Sequence, residues 1–262
     1  MKFIREGRFG PPFSWKTGAA GTYPKPMLFF CHDSGGLDII TDYPITWISP
    51  CGYNPTETPK FEPGSLAEAC MKKPEELPPI TAIDFSVLNR LPLETLYRPT
   101  PDKDTFEAVT ESLNLILKLC PWKTFVYDHI TGLSDCIYGH QAVKNAAELV
   151  DARKWAGKIG LKVDQIIKRA CQFQCHTVFL FHSENVQNED TKEAAERPML
   201  YSKLRDFVGA RFSQFFYAYT EGQKAYVRTQ PHGLIKGIGA RWPLGLPAVC
   251  KADYKSIYET NY

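Results

Sequence analysis

The sequence predicts an α/β protein: a mainly parallel central sheet flanked by helices, with an antiparallel hairpin towards the C-terminus. Three observations predict it. Short apolar runs recur at MLFFC (27–31), TFVYD (124–128) and TVFLF (177–181), each bounded by turn or polar residues, as strands covered on both faces require. Helical periodicity fills the intervals: residues 104–119 place Phe106, Val109, Leu113, Leu115, Ile116 and Leu119 largely on one face, and residues 141–170 read as a longer helical region interrupted around Gly157 and Gly160. FSQFFYAYT and KAYVRT, separated by Glu221-Gly222, read as the hairpin.

The remaining elements follow in chain order. A short strand at KFIR or nearby opens the chain. Residues 50–103 are proline-rich and aperiodic, an irregular excursion in which ITAIDF (80–85) adds a further strand. The polar stretch ENVQNEDTKEAAERP (184–198) reads as a loop. The expectation is one domain spanning 1–262, long enough to bury a full core.

Composition narrows the function classes. No run of 18 apolar residues exists, so no membrane span is expected, and the charged N-terminus MKFIREGRFG does not resemble a signal peptide. The expected location is the cytoplasm. Cysteines at 31, 51, 70, 120, 136, 171, 175 and 250 are too scattered for a disulfide scaffold and form no CxxC pair. Cys171-x3-Cys175-His176 approaches a metal cluster, but its place at a helix–strand junction reads as buried free thiols.

The chemistry concentrates in GRFGPPFSWKT, residues 7–17. Gly10-Pro11-Pro12-Phe13-Ser14-Trp15-Lys16-Thr17, with Gly18 behind, keeps the Gly-x5-Lys-Thr spacing of a phosphate-binding loop. Backbone N–H groups of such a loop converge on phosphates, the lysine neutralises their outer oxygens, and the next hydroxyl holds Mg²⁺. Trp15 stands where the usual motif has a second glycine. About 110 residues on, the apolar strand TFVYD ends in Asp128, the layout of a Walker B carboxylate that completes a Mg²⁺ site. Loop, strand-ending aspartate and their order together read as a nucleotide site.

The succession of these motifs resembles the RecA-like P-loop ATPases of phages, including the RecA-core single-strand annealing proteins. The resemblance rests on the loop GPPFSWKT, the turn CHDSGGLD (31–38), TFVYDHIT (124–131), FLFHSE (179–184) and VRTQPHGLIKGIGARWP (227–243). It runs from about residue 3 to 245. It implies that His182 senses the γ-phosphate and that Arg241 reaches a neighbouring subunit's phosphates, which requires a homo-oligomer, ring or filament. Relatives carry a catalytic glutamate where this chain has Ser34; Asp33, one position earlier, and Glu184 are the candidate substitutes.

Residues 203–251 hold eight Lys/Arg against two Asp/Glu, interleaved with Phe212, Phe216, Tyr219, Tyr226 and Trp242. Cations that track a backbone beside rings that stack on bases are what sequence-tolerant single-stranded DNA binding needs. The leading expectation is therefore an ATP- and Mg²⁺-dependent ATPase acting on single-stranded DNA in phage recombination, annealing or replication. Two alternatives stay open: an oligomeric module in which ATP is an assembly switch with little hydrolysis, which Trp15 and Ser34 favour, and a P-loop phosphotransferase.

Overall fold

The computed structural model describes residues 3–32, 36–48, 66–85, 105–144, 152–187, 194–201, 203–241 and 245–259. Its strands are β1 (Arg5–Gly10), β2 (Met27–Cys31), β3 (Ile45–Trp47), β4 (Ile80–Asp84), β5 (Thr124–Asp128), β6 (His176–Gln187), β7 (Ala194–Pro198), β8 (Gln214–Glu221), β9 (Lys224–Arg228), β10 (Gly239–Ala240) and β11 (Val249–Lys251). The helices are α1 (Lys16–Ala20), α2 (Leu66–Met71), α3 (Thr105–Lys118), α4 (Ile130–Lys144), α5 (Ala152–Ala170), α6 (Leu204–Phe207) and α7 (Tyr254–Tyr258).

The main sheet runs β11-β9-β8-β1-β6-β5-β2-β4-β3. From β8 to β3 every neighbour is parallel. The β8–β9 hairpin, β10 and β11 add antiparallel edges. This is the mainly parallel α/β architecture with an antiparallel C-terminal hairpin expected from the sequence. The loop-bearing strand β1 and the Asp128-bearing strand β5 both border β6, which carries His182 at their level.

Period-two alternation explains the continuous apolar text of the inner strands. Phe30, Phe125, Tyr127 and Phe179 pack on one face against α3 (Val109, Leu113, Ile116), α4 (Ile130, Leu133) and α5 (Ile159, Val163, Ile166). Phe29, Val126, Val178 and Leu180 point to the opposite face, towards α1 (Ala19, Ala20) and α7 (Ile257, Tyr258).

Strand β1 is the exception, because it buries charge. Glu6 and Arg8 are both 0% exposed. Their side chains pair with each other. Arg8 also donates to the Ala252 carbonyl (2.6 Å) and to Tyr23 Oη (3.1 Å). Tyr23 Oη donates to Glu6 Oε2 at 2.5 Å, and Tyr258 Oη donates to the same oxygen. Every strong donor and acceptor in the group is thus matched, the condition under which buried charge is tolerated.

Three expectations change. The region 141–170 is not one interrupted helix: α4 begins as early as Ile130, and α5 runs unbroken through Gly157 and Gly160. Burial of Ile159, Val163, Ile166 and Ile167 along one stripe outweighs the roughly 1 kcal/mol that each helical glycine costs. The polar stretch 184–198 is not simply a loop, because Ser183–Gln187 of β6 pairs antiparallel with Ala194–Pro198 of β7. Within the proline-rich excursion, α2 and β4 are ordered elements, and β4 joins the sheet beside β2; its residues 50–65 and 86–103 lie outside the described residues.

Candidate nucleotide site

At the C-terminal end of β1 the chain turns into the loop, and Gly10 is required there: a Cβ would lie 2.1 Å from the Ala218 carbonyl oxygen of β8. Two non-glycine residues then adopt left-handed backbone, Phe13 (φ 61°) and Trp15 (φ 59°). Such residues cost on the order of 1–3 kcal/mol each and persist only where the surroundings hold them. Trp15 therefore adopts a backbone shape that glycine would reach freely. Its indole lies over Gly18, where a Cβ would come within 3.0 Å of Cε3. Phe13, at the loop tip, is 95% exposed.

Lys16 and Thr17 open α1. The Lys16 ammonium donates to the Gly10 carbonyl (3.0 Å), the Pro11 carbonyl (2.6 Å) and Ser14 Oγ (2.9 Å). Burial lowers its pKa to about 8, a shift opposed by the nearby Asp128 carboxylate. Thr17 Oγ1 donates to Asp128 Oδ2 at 2.6 Å. A hydroxyl and a carboxylate side by side are an all-oxygen donor set, which suits a hard cation such as Mg²⁺.

Lys16, Thr17 and Asp128 line a cavity of about 420 Å³ together with Trp15, His129 and His182. His129, which follows Asp128 at the end of β5, also stands on the cavity wall. His129 Nδ1 accepts the Gly132 N–H at 2.8 Å, and its Nε2 lies 3.2 Å from Nε2 of His182. With Nδ1 acting as acceptor, the neutral ring carries its proton on Nε2 and donates it to His182. No linear signal announces this pair, because it depends on β5 and β6 being neighbours. Behind it, His32 bonds Tyr127 Oη (2.9 Å) and stacks between Phe85 and Tyr127. Burial pushes the His32 pKa down to about 3, so this ring is neutral.

Other expected site residues lie elsewhere. Glu184 sits on the β6–β7 ribbon, paired with Arg205 at 3.0 Å, and does not line the cavity. Among the described lining residues Asp128 is the only carboxylate. Asp33 and Ser34 lie outside the described residues. Arg241 is exposed, and its N–H donates to the Ser213 carbonyl just before β8. Ser213 also accompanies Arg5 at the start of β1, so Arg241 lies at the end of the sheet opposite the loop. Five residues of strand separate the two ends by roughly 16 Å.

The basic C-terminal region divides in two. Phe212 and Phe216 are core residues, 3% and 0% exposed, and Trp242 is outside the described residues. Tyr217, Tyr219, Tyr226 and Arg228 share one face of the β8–β9 hairpin through the pairs Tyr217↔Arg228 and Tyr219↔Tyr226. Tyr219 stacks on both neighbouring tyrosines, with centroids 6.2 and 5.8 Å apart, and the Arg228 guanidinium lies 5.2 Å above its ring. At Cys171, Cys175 and His176 no group of three or more metal-ligating side chains forms, and none is found elsewhere among the described residues. Among those residues no helix is long and apolar enough to cross a membrane.

No family model matches the chain, and no curated protein matches it. Among solved structures it is similar to a KaiC-like protein from the hyperthermophilic archaeon Pyrococcus horikoshii, with a TM-score of 0.32 and 12% identity over 86% of this chain and 78% of that one.

Proposed function

We propose that the protein binds ATP with Mg²⁺ at the Gly10–Gly18 loop and acts as an oligomeric ATPase on single-stranded DNA. The observation that carries the nucleotide reading is the bond between Thr17 and Asp128, which joins loop and strand end across 111 residues beside the buried Lys16. Thr17 and Asp128 would hold Mg²⁺, which supplies charge neutralisation to a phosphoryl transfer. Lys16 exchanges its carbonyl and hydroxyl partners for phosphate oxygens. Loop amides from Pro12 to Gly18, proline apart, supply further donors. His182, held by His129, faces the same cavity and responds to what occupies it. Arg241, remote from its own loop, serves a second copy, which accords with a ring or filament.

The DNA part rests on the Tyr219–Tyr226–Arg228 face, where half-exposed rings and a guanidinium lie side by side, a surface on which bases stack with little sequence preference. Tyr217 Oη and Ser183 Oγ both donate to Glu196 Oε1, at 2.8 and 2.7 Å. These bonds link that face to the ribbon leading back to His182.

A second reading, ATP as an assembly switch with slow turnover, is favoured by one observation: the single carboxylate among the described lining residues is already engaged by Thr17, leaving the general base to Asp33 or to water alone. Phosphate release from Mg·ATP, with and without single-stranded DNA and with Lys16→Ala as control, separates the readings. DNA-stimulated turnover that is lost in the variant supports the ATPase. Tight, Lys16-dependent binding without turnover supports the switch. Absence of binding removes both.

A further inference from the structure

Trp15 lines two cavities. One is the 420 Å³ phosphate-side cavity. The other, about 720 Å³, is lined by Trp15, α1, residues 39–43 and the β9–β11 edge. Ile39 also borders both, so the two spaces meet at the Trp15–Ile39 wall. The glycine usual at this loop position could form no such wall.

We infer that Trp15 is a base-stacking platform, and that the larger cavity receives the purine and ribose of a nucleoside triphosphate whose phosphates occupy the loop. The inference rests on the nucleotide reading above. Four observations carry it. Trp15 has left-handed backbone, and its indole packs close on Gly18, where an added Cβ would meet the ring at 3.0 Å, so the bare glycine lets the ring approach α1. The space is larger than the phosphate-side cavity and within the range of small-molecule sites. Its lining also holds Tyr43, braced by the Lys25 ammonium 4.0 Å above the ring. Gln223 and Asp42, also in the lining, offer both donors and acceptors to the edge of a base. An extended indole surface favours a two-ring base over a one-ring base through greater stacked area.

The comparison that tests this is Mg·ATP against inorganic triphosphate, which has the phosphates without the base, by isothermal titration calorimetry. The wild-type chain is expected to bind ATP at least about tenfold more tightly than triphosphate, a typical contribution of one base stacked on an aromatic ring. Trp15→Gly, whose backbone suits the loop, should keep triphosphate affinity and lose that preference. Trp15→Asn, which also tolerates left-handed backbone but has no ring, should behave alike and decides the matter if the glycine variant binds neither ligand. An ATP preference retained in the ringless variants overturns the inference while leaving the nucleotide site intact. A wild-type chain that binds neither ligand overturns the nucleotide reading and this inference together.

Discussion

Thr17 Oγ1 and Asp128 Oδ2 meet at 2.6 Å, although they stand 111 positions apart in the chain, with β2, β3, β4, α2 and α3 between them. Their contact converts a loose sequence motif into a spatial one, and it is the first target for mutation. Thr17→Ala removes an oxygen of the cation-binding pair and a bond to a charged group, of a kind that contributes about 1.5–3 kcal/mol. Mg·ATP affinity should fall by roughly ten- to a hundredfold, while Mg²⁺-free ATP binding changes little. Titrations with and without Mg²⁺ check this; equal losses in both would refute the shared cation role.

Lys16 makes the site pH-sensitive. Its pKa is lowered to about 8 by burial, whereas phosphate needs the ammonium form. ATP affinity should be flat below pH 7 and weaken above pH 8, approaching tenfold per pH unit. Lys16→Arg, charged throughout this range, should abolish the dependence. For the unliganded chain the sign is opposite. Unfolded lysine binds its proton more tightly, so the cost of burying the charge is fully present below pH 8 and is relieved as pH rises towards the unfolded value.

Trp15 and Gly18 form a testable pair. In a Trp15→Gly background, Gly18→Ala should stabilise the protein by up to about 1 kcal/mol through helix propensity. With Trp15 present the new methyl meets the indole at 3.0 Å, so the gain should shrink or reverse. A double-mutant cycle from urea denaturation reads the coupling directly; additive effects would place the ring elsewhere.

The Glu6–Arg8 pair predicts asymmetry. Arg8→Met alone leaves Glu6 buried without its cation and should cost about 3–5 kcal/mol, whereas removing both charges together with well-packed apolar replacements should cost far less. Denaturant midpoints of the singles and the double measure this.

The hairpin face predicts a separation of functions. Tyr219→Ala and Tyr226→Ala should each weaken single-stranded DNA binding by about 1–3 kcal/mol with ATP binding unchanged, as read by fluorescence anisotropy of a labelled oligonucleotide. Unchanged DNA affinity in both would remove this face from the proposal.

The sequence was most legible where burial is two-sided. β2, β5 and the inner half of β6 are unbroken apolar text because helices cover both faces. β1 was harder: a strand was expected at KFIR or nearby, and the strand formed is Arg5–Gly10, whose charged Glu6 and Arg8 neutralise one another in the core. α4 was hidden because its buried stripe includes Thr131 and Ser134, the latter bonding back to the Ile130 carbonyl, so its polar and apolar residues do not separate by face. The β6–β7 ribbon is half exposed and polar, which mimics a loop. Within the site, Lys16, Thr17 and Asp128 follow from spacing and residue type, whereas the His129–His182 contact arises only from strand order.

β6 is twelve residues long, and it belongs to two structures at once. Its first half is wedged between β1 and β5, and its second half projects beyond them, hydrogen-bonded to β7. His182 stands where the two halves meet. Twelve extended residues make a rod of roughly 40 Å, with no turn or break within it. The outer ribbon and the cavity wall thus share one continuous strand, so any displacement of its outer end would reach the His182 backbone without crossing a turn.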